Sequence, residues 1–268
     1  TWRELVQIHE GPAWNSATGV VIRDGQLYRA YDTATHQADR QLFVLAGNLS
    51  RDLLDPGSWR CSNAVGFPGL PEAMKRPINP DYRDHWLEAN VVDIRGRLTV
   101  IARCRIDDFG TCHLAGVCDL SDTEHDLKLE FTQFHPFPGG QQKFHILYDD
   151  VSDLYWMVGN LVTDPQDHTG RFPRLRERGY RGGAGNERRI LALFYSLDSL
   201  NWLQAGVVAM SKDPMQGFMY SQMLIDGDDL IFAVRTSKAG GNNHDAELVT
   251  FHRLPHFRSQ ALDIHPQL

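Results

Sequence analysis

The chain has 268 residues, 42% of them hydrophobic and 23% charged, with a formal net charge of −7. That apolar content suffices for a sizeable core, and the acidic balance lacks the basic footprint of phosphate-dominated recognition, so nucleic acid is excluded as an expected partner. No apolar run approaches the length of a membrane-spanning helix, and TWRELVQIHEGPAW at the start carries no secretion signal; the missing initiator Met leaves a secreted or periplasmic parent protein as the expectation.

In chain order, TWRELVQIHE around Trp2 reads first as an isolated outer strand. GVVIRDGQLYRAYD then gives an apolar strand, a turn and a second strand opened by Leu27. The same pattern returns in NVVDIRGRLTVIAR at Leu98, HILYDDVSDLYWMVGN at Leu154 and QMLIDGDDLIFAVR at Leu230. After each hairpin comes a third apolar segment, at Gln41–Leu45, His113–Asp119, Ile190–Ser196 and Glu247–His252. Tryptophan marks a fourth, outer strand at Trp59 and at Trp202, and PEAMKR is long enough for one helical turn.

Self-similarity of this period in an all-β chain predicts the blades of a β-propeller. Four blades are visible, and five or six are expected if the chain is part of a longer ring; the whole of residues 1–268 is read as one propeller domain, with N-terminal blades lacking in that case. The last repeat has no outer strand of its own, so Trp2–Ile8 is expected to complete it and hide its edge. Cys61, Cys104, Cys112 and Cys118 are read as buried thiols, with one Cys104–Cys112 disulfide across a turn as the alternative. Residues 164–189 hold seven arginines, Arg171, Arg174, Arg176, Arg178, Arg181, Arg188 and Arg189, and read as a solvated flexible loop, or alternatively as a patch that captures an anionic polymer.

Innermost strands line the central channel of a propeller. Aligned on their turns, the repeats place Glu88 and Asn90 opposite Lys143 and His145 and opposite Tyr220 and Gln222, with Ala17 and Gly19 in the first. Within each pair the two residues share a strand face. Polar groups there point to a site, the alternative being a satisfied polar plug with waters. Five positions after each opening leucine stand Asp32, Arg103, Gly159 and Arg235; arginine grips a carboxylate with paired hydrogen bonds, so Arg103, Arg235 and Lys143 suit an acidic sugar, or else bridge blades. His244 and Asp245, after a Gly-rich loop, are placed for proton transfer or metal ligation, or form an ordinary surface turn.

WLEANVV (86–92), FPGGQQKFHILYD (137–149), SLDSLNW (196–202), FAVRT (232–236) and HDAELVTFHR (244–253) together resemble bacterial sialidase-like propeller proteins. Ser196, Asp198 and Trp202 follow the Asp-box spacing with one residue fewer and no glycine. The resemblance implies a glycoside hydrolase working on an acidic glycan that contains sialic or uronic acid. Such an enzyme needs two carboxyl groups; Glu88 is the first candidate, and Asp32 or Asp245 the second. One alternative is a polysaccharide lyase, with arginine neutralising a uronate while His145 or Tyr220 moves the C5 proton. A second is a sugar-binding propeller without catalysis. Glu88, His145, Tyr220 and Asp245 are thus the catalytic candidates, and Asn90, Arg103, Lys143, Gln222, Arg235 and His244 the substrate-binding ones. An oligosaccharide or polysaccharide is the expected partner, and no metal or other cofactor is called for.

Overall fold

The computed structural model describes residues 4–14, 18–33, 39–74, 85–106, 113–139 and 142–263. It is an all-β propeller of four blades with almost no helix. Blade 1 holds β1 (Val21–Arg23), β2 (Gln26–Asp32), β3 (Gln41–Asn48) and β4 (Trp59–Cys61), with β5 (Val65–Gly66) also pairing β3. Blade 2 is β6 (His85–Ile94), β7 (Arg97–Arg105), β8 (Leu114–Asp122) and β9 (Leu127–Pro136). Blade 3 is β10 (His145–Asp149), β11 (Leu154–Asn160), β12 (Ile190–Ser196) and β13 (Leu203–Met210). Blade 4 has β14 (Phe218–Asp226), β15 (Asp229–Thr236) and β16 (Leu248–Leu254).

Turn chemistry sets the repeat. Asp24–Gly25 and Arg95–Gly96 take positive φ at both positions (49° and 73°, 49° and 90°), the geometry that joins two twisted antiparallel strands through a two-residue loop. The leucines that follow hold matching places: Leu27 faces Ile22, Leu98 faces Asp93, Leu154 faces Asp149 and Leu230 faces Ile225. At Ser196–Trp202 the Asp198 carboxylate accepts from the amides of Leu200 and Asn201 at 2.9 and 2.7 Å and from Ser196 Oγ at 2.9 Å, so this Asp-box-like turn is a structural clamp.

Packing runs blade to blade. Tyr28, Val44 and Leu42 of blade 1 share a core with Trp86, Val100 and Leu120 of blade 2. Val92 and Ile101 of blade 2 meet Phe144, Met157 and Phe194 of blade 3, and Trp156, Leu193 and Tyr195 of blade 3 meet Met223, Phe232 and Val234 of blade 4. Among the described residues no apolar cluster joins blade 4 to blade 1.

Several expectations are corrected. Glu4–Ile8 is not a strand and leaves Leu5 fully exposed; Trp2 lies outside the described residues. The N-terminal segment instead lies on blade 1, where His9 stacks on Phe43 at 4.7 Å and Trp14 pairs with Asp32. Among the described residues blade 4 therefore has three strands. Leu203–Met210 follows Trp202 as expected, whereas the outer strand Leu127–Pro136 of blade 2 has no tryptophan to announce it. Cys104 and Cys118 are buried as expected, Cys61 is exposed, and Cys112 lies outside the described residues. Residues 164–189 are a folded insertion, not a loose loop: α1 (Phe172–Glu177) packs Phe172 and Leu175 with Tyr180, Ala184 and Met215.

Candidate active site at the propeller centre

Two facing blades build the site by the same device. The β6–β7 ladder is interrupted between Leu87 and Asn90, and the β14–β15 ladder between Met219 and Gln222. Each interruption puts one non-glycine residue in the left-handed region, Glu88 at φ 53° and Tyr220 at φ 52°. Such bulges re-aim a side chain at the cost of local strain. Each also carries an arginine on the adjacent strand, Arg103 opposite Leu87 and Arg235 opposite Met219, at the offset read from the repeats.

The re-aimed groups meet at the centre. Arg103 Nη1 donates to Glu88 Oε2 in a buried ion pair, and Arg103 also hydrogen-bonds Tyr220. Arg188 and Arg235 lie over the Tyr220 ring at 5.5 and 5.2 Å from its centroid, within cation–π range. Lys143 Nζ donates to Ser221 O at 2.7 Å. From blade 1, Asp32 Oδ2 accepts from the Glu88 amide at 3.4 Å and Oδ1 lies 3.6 Å from Arg40. Glu88, Arg103, Lys143, Tyr220 and Arg235 are thus brought together.

Charge states follow from this crowding. Burial pushes the Glu88 carboxyl up, but Arg103, through its charge and hydrogen bond, and then Arg188 and Lys143 outweigh it, leaving it below the ordinary carboxylate value. Glu88 is therefore a carboxylate and not a proton donor at neutral pH. Burial pulls Lys143 down to about 7 against the pull of Glu88, and pulls Arg188 down to about 10. Arg188 is 2% exposed, its Nε donates to Asn186 Oδ1 at 3.1 Å, and its buried Nη1 has no hydrogen-bond partner. A buried guanidinium with an unmet donor seeks an anion.

His145, Gln222 and Asn90 occupy a second tier: the bulges break the face-sharing of Glu88 with Asn90 and of Tyr220 with Gln222, and Lys143 precedes the strand that His145 opens. Asn90 straps blade 2 to blade 3, donating to Phe144 O at 3.1 Å and accepting from the Ile146 amide at 3.4 Å. His145 and Gln222 line a cavity of about 790 Å³ toward the hairpin turns, with Val20, Ile22, Tyr148 and Leu224 at its sides. His145 Nδ1 accepts from the Met223 amide at 3.2 Å, and Nε2 lies 3.0 Å from the Gln222 amide. Burial, with Lys143 adding, lowers the ring's pKa to about 3. Both ring nitrogens thus face side-chain or backbone nitrogen of β14, and the lowered pKa keeps the ring neutral. Gly19 abuts this ring: a Cβ there would stand 2.6 Å from Nε2. Ala17 lies outside the described residues.

His244 and Asp245 sit at the rim. Arg235 Nη2 donates to His244 O at 3.1 Å, and Asp245 pairs with His244 Nδ1 and Arg181 Nη2, each at 3.0 Å. Burial lowers the His244 pKa, and the hydrogen bond from His244 lowers that of Asp245. Among the described residues no group of three potential metal ligands occurs. Sequence reasoning missed Arg188; its one signal is its place just before the wholly buried strand Ile190–Ser196.

No family model and no curated protein matches the chain. Solved structures do. They include α-L-arabinofuranosidase from Lactobacillus brevis, at 9% identity over 88% of this chain and 70% of that one, with a TM-score of 0.47. An α-L-arabinanase from Cellvibrio cellulosa shares 11% identity over 91% and 73%, with a TM-score of 0.48. Inulosucrase from Halalkalicoccus jeotgali bound to kestose shares 13% over 85% and 60%, with a TM-score of 0.46. None of these three is a sialidase. Likeness at this level concerns fold alone.

Proposed function

We propose that the chain is a carbohydrate-active enzyme that hydrolyses a glycosidic bond beside an acidic sugar. The observation that carries this reading is the cationic group at the centre: Arg103, Arg188 and Lys143 act on the buried Glu88 carboxylate, Arg188 and Arg235 lie over the Tyr220 ring, and Arg188 Nη1 has no partner. In a chain of net charge −7, such a centre suits a substrate carboxylate, held between the guanidinium groups of Arg188 and Arg235.

Glu88, kept ionised by Arg103, stabilises positive charge developing at the sugar ring or takes a proton from the Tyr220 phenol or a water. The Tyr220 phenol, beside Arg103, is the nucleophile candidate of a sialidase-like course. The ammonium of Lys143, with its pKa near 7, is the group able to give a proton to the leaving oxygen at neutral pH. Asp245 is the outlying second carboxylate, and the chain acts as one propeller unit.

One observation favours a second reading. A lysine poised near pH 7 among arginines also suits elimination from a uronate, with Lys143 or Tyr220 taking the C5 proton while arginine neutralises the carboxylate. The experiment is product analysis over sialylated and uronate-containing oligosaccharides. New reducing ends without an ultraviolet-absorbing product support hydrolysis, and an unsaturated uronate supports elimination. Binding without turnover overturns the enzymatic reading, and absence of binding overturns acidic-sugar recognition.

A further inference from the structure

We infer that the ligand of this site is an extended polyanionic glycan, with carboxylates on successive sugars, gripped outside the pocket by the arginines of the insertion between Asn160 and Ile190. The inference rests on the acidic-sugar reading of the pocket and adds the chain length of what it binds.

The seven arginines of the insertion have three different fates. Arg171 and Arg189 are consumed inside, where both pair with Glu187, a carboxylate that is 1% exposed and also accepts from the Thr163 amide at 2.7 Å. Arg188 is delivered to the centre, over Tyr220, with Nη1 unpartnered. The remaining four, Arg174, Arg176, Arg178 and Arg181, are exposed.

Their exposure follows from the helix. Phe172 and Leu175 are the buried face of α1, which turns Arg174, Arg176 and Arg178 outward. Among the described residues no carboxylate pairs with Arg174 or Arg178, while Arg176 Nε donates to Gly182 O at 3.1 Å. Residues four apart on a helix stand about 5–6 Å apart at Cβ, a spacing on the scale of one pyranose unit.

The insertion is fixed against the loop that carries His244 and Asp245. Asn243 accepts from the Arg181 amide at 2.7 Å and donates to Arg181 O and Asn186 O, both at 3.2 Å. Asn243 belongs to the loop that carries His244 and Asp245, and Arg181 itself pairs with Asp245. One folded segment therefore runs from a buried, anion-seeking guanidinium to the outward-facing Arg174 and Arg178, which no carboxylate among the described residues pairs. Fold stability does not call for unpaired surface arginines, whereas a polyanion that releases counterions on docking does.

The test is titration of the wild-type chain and of Arg174→Glu/Arg178→Glu with galacturonic acid and with polygalacturonate, polysialic acid serving as a second arm, over a range of salt. The double variant is expected to bind the polymer roughly tenfold more weakly, with a shallower salt dependence, and the monomer as before. Arg174→Lys/Arg178→Lys retains polymer binding, and unchanged melting of both variants shows that they fold. Equal polymer affinity in the glutamate variant and wild type, or a parallel loss for the monomer, overturns the inference. A wild type that ignores the monomer but holds the polymer through these arginines overturns the acidic-pocket reading instead, and one that binds neither overturns both.

Discussion

Glu88 and Tyr220 show how much one residue's backbone decides. Both stand inside strands at positive φ, a conformation that costs about 1–3 kcal/mol for a side chain of this kind and that aims them away from their strand neighbours toward the centre. Glu88→Gln keeps the shape and an acceptor for Arg103 but removes the charge. Turnover is expected to fall about a hundredfold or more with affinity less affected, and stability to fall by about 3 kcal/mol, because Arg103 is left buried without its counter-ion. A steady-state assay and a denaturant melt check both, and unchanged turnover would remove Glu88 from the chemistry. Lys143 gives the pH dependence. Its folded pKa, about 7, is depressed from 10.5, so its positive charge disappears as pH rises through 7. Affinity for an acidic sugar should weaken across that interval in the wild type and stay flat in Lys143→Arg, read by calorimetry. For stability the sign is opposite: the burial penalty is full below pH 7 and is relieved as pH climbs toward 10.5. Lys143→Met should therefore gain most over wild type in acid.

Among elements, the hairpins were legible and the insertion was not. Leu27, Leu98, Leu154 and Leu230 sit where turn chemistry puts them, since Asp-Gly and Arg-Gly turns fix both the strand ends and the register. Bulges carry no such local signal, which is why Asn90 and Gln222 were grouped with Glu88 and Tyr220 although the ladders slip between them. In the insertion, the density of arginine masked the apolar set Phe172, Leu175 and Tyr180 that folds it, and within the string of seven arginines only its place just before the strand Ile190–Ser196 hints at the burial of Arg188. Burial of a guanidinium is a tertiary fact. Phe172→Ala should cost about 3–5 kcal/mol of local stability, expose residues 161–189 to limited proteolysis and weaken acidic-sugar binding through Arg188, while the blade strands remain protected. Resistance to protease equal to wild type would mean that the insertion is held by its hydrogen bonds alone.

At the scale of the whole molecule the packing is sequential, with cores between blades 1 and 2, 2 and 3, and 3 and 4. Blade 4 spends one face, Met223, Phe232 and Val234, on blade 3. Its other face follows from the register, in which Leu224 pairs with Ile231, Ala233 with Phe251 and Arg235 with Val249. On that face Leu224, Phe251 and Val249 are 63%, 65% and 80% exposed, and β16 has no outer partner among the described residues. Contiguous exposed apolar groups beside an unpaired strand edge promote association. This chain is expected to bind a hydrophobic dye and to associate as its concentration rises, by sedimentation velocity. Val249→Thr/Phe251→Ser should abolish both while shifting stability by no more than about 0.5 kcal/mol, as solvent-facing substitutions usually do. A large loss of stability in that variant would instead mean that the face is packed in solution, and that blade 4 is covered by something other than solvent.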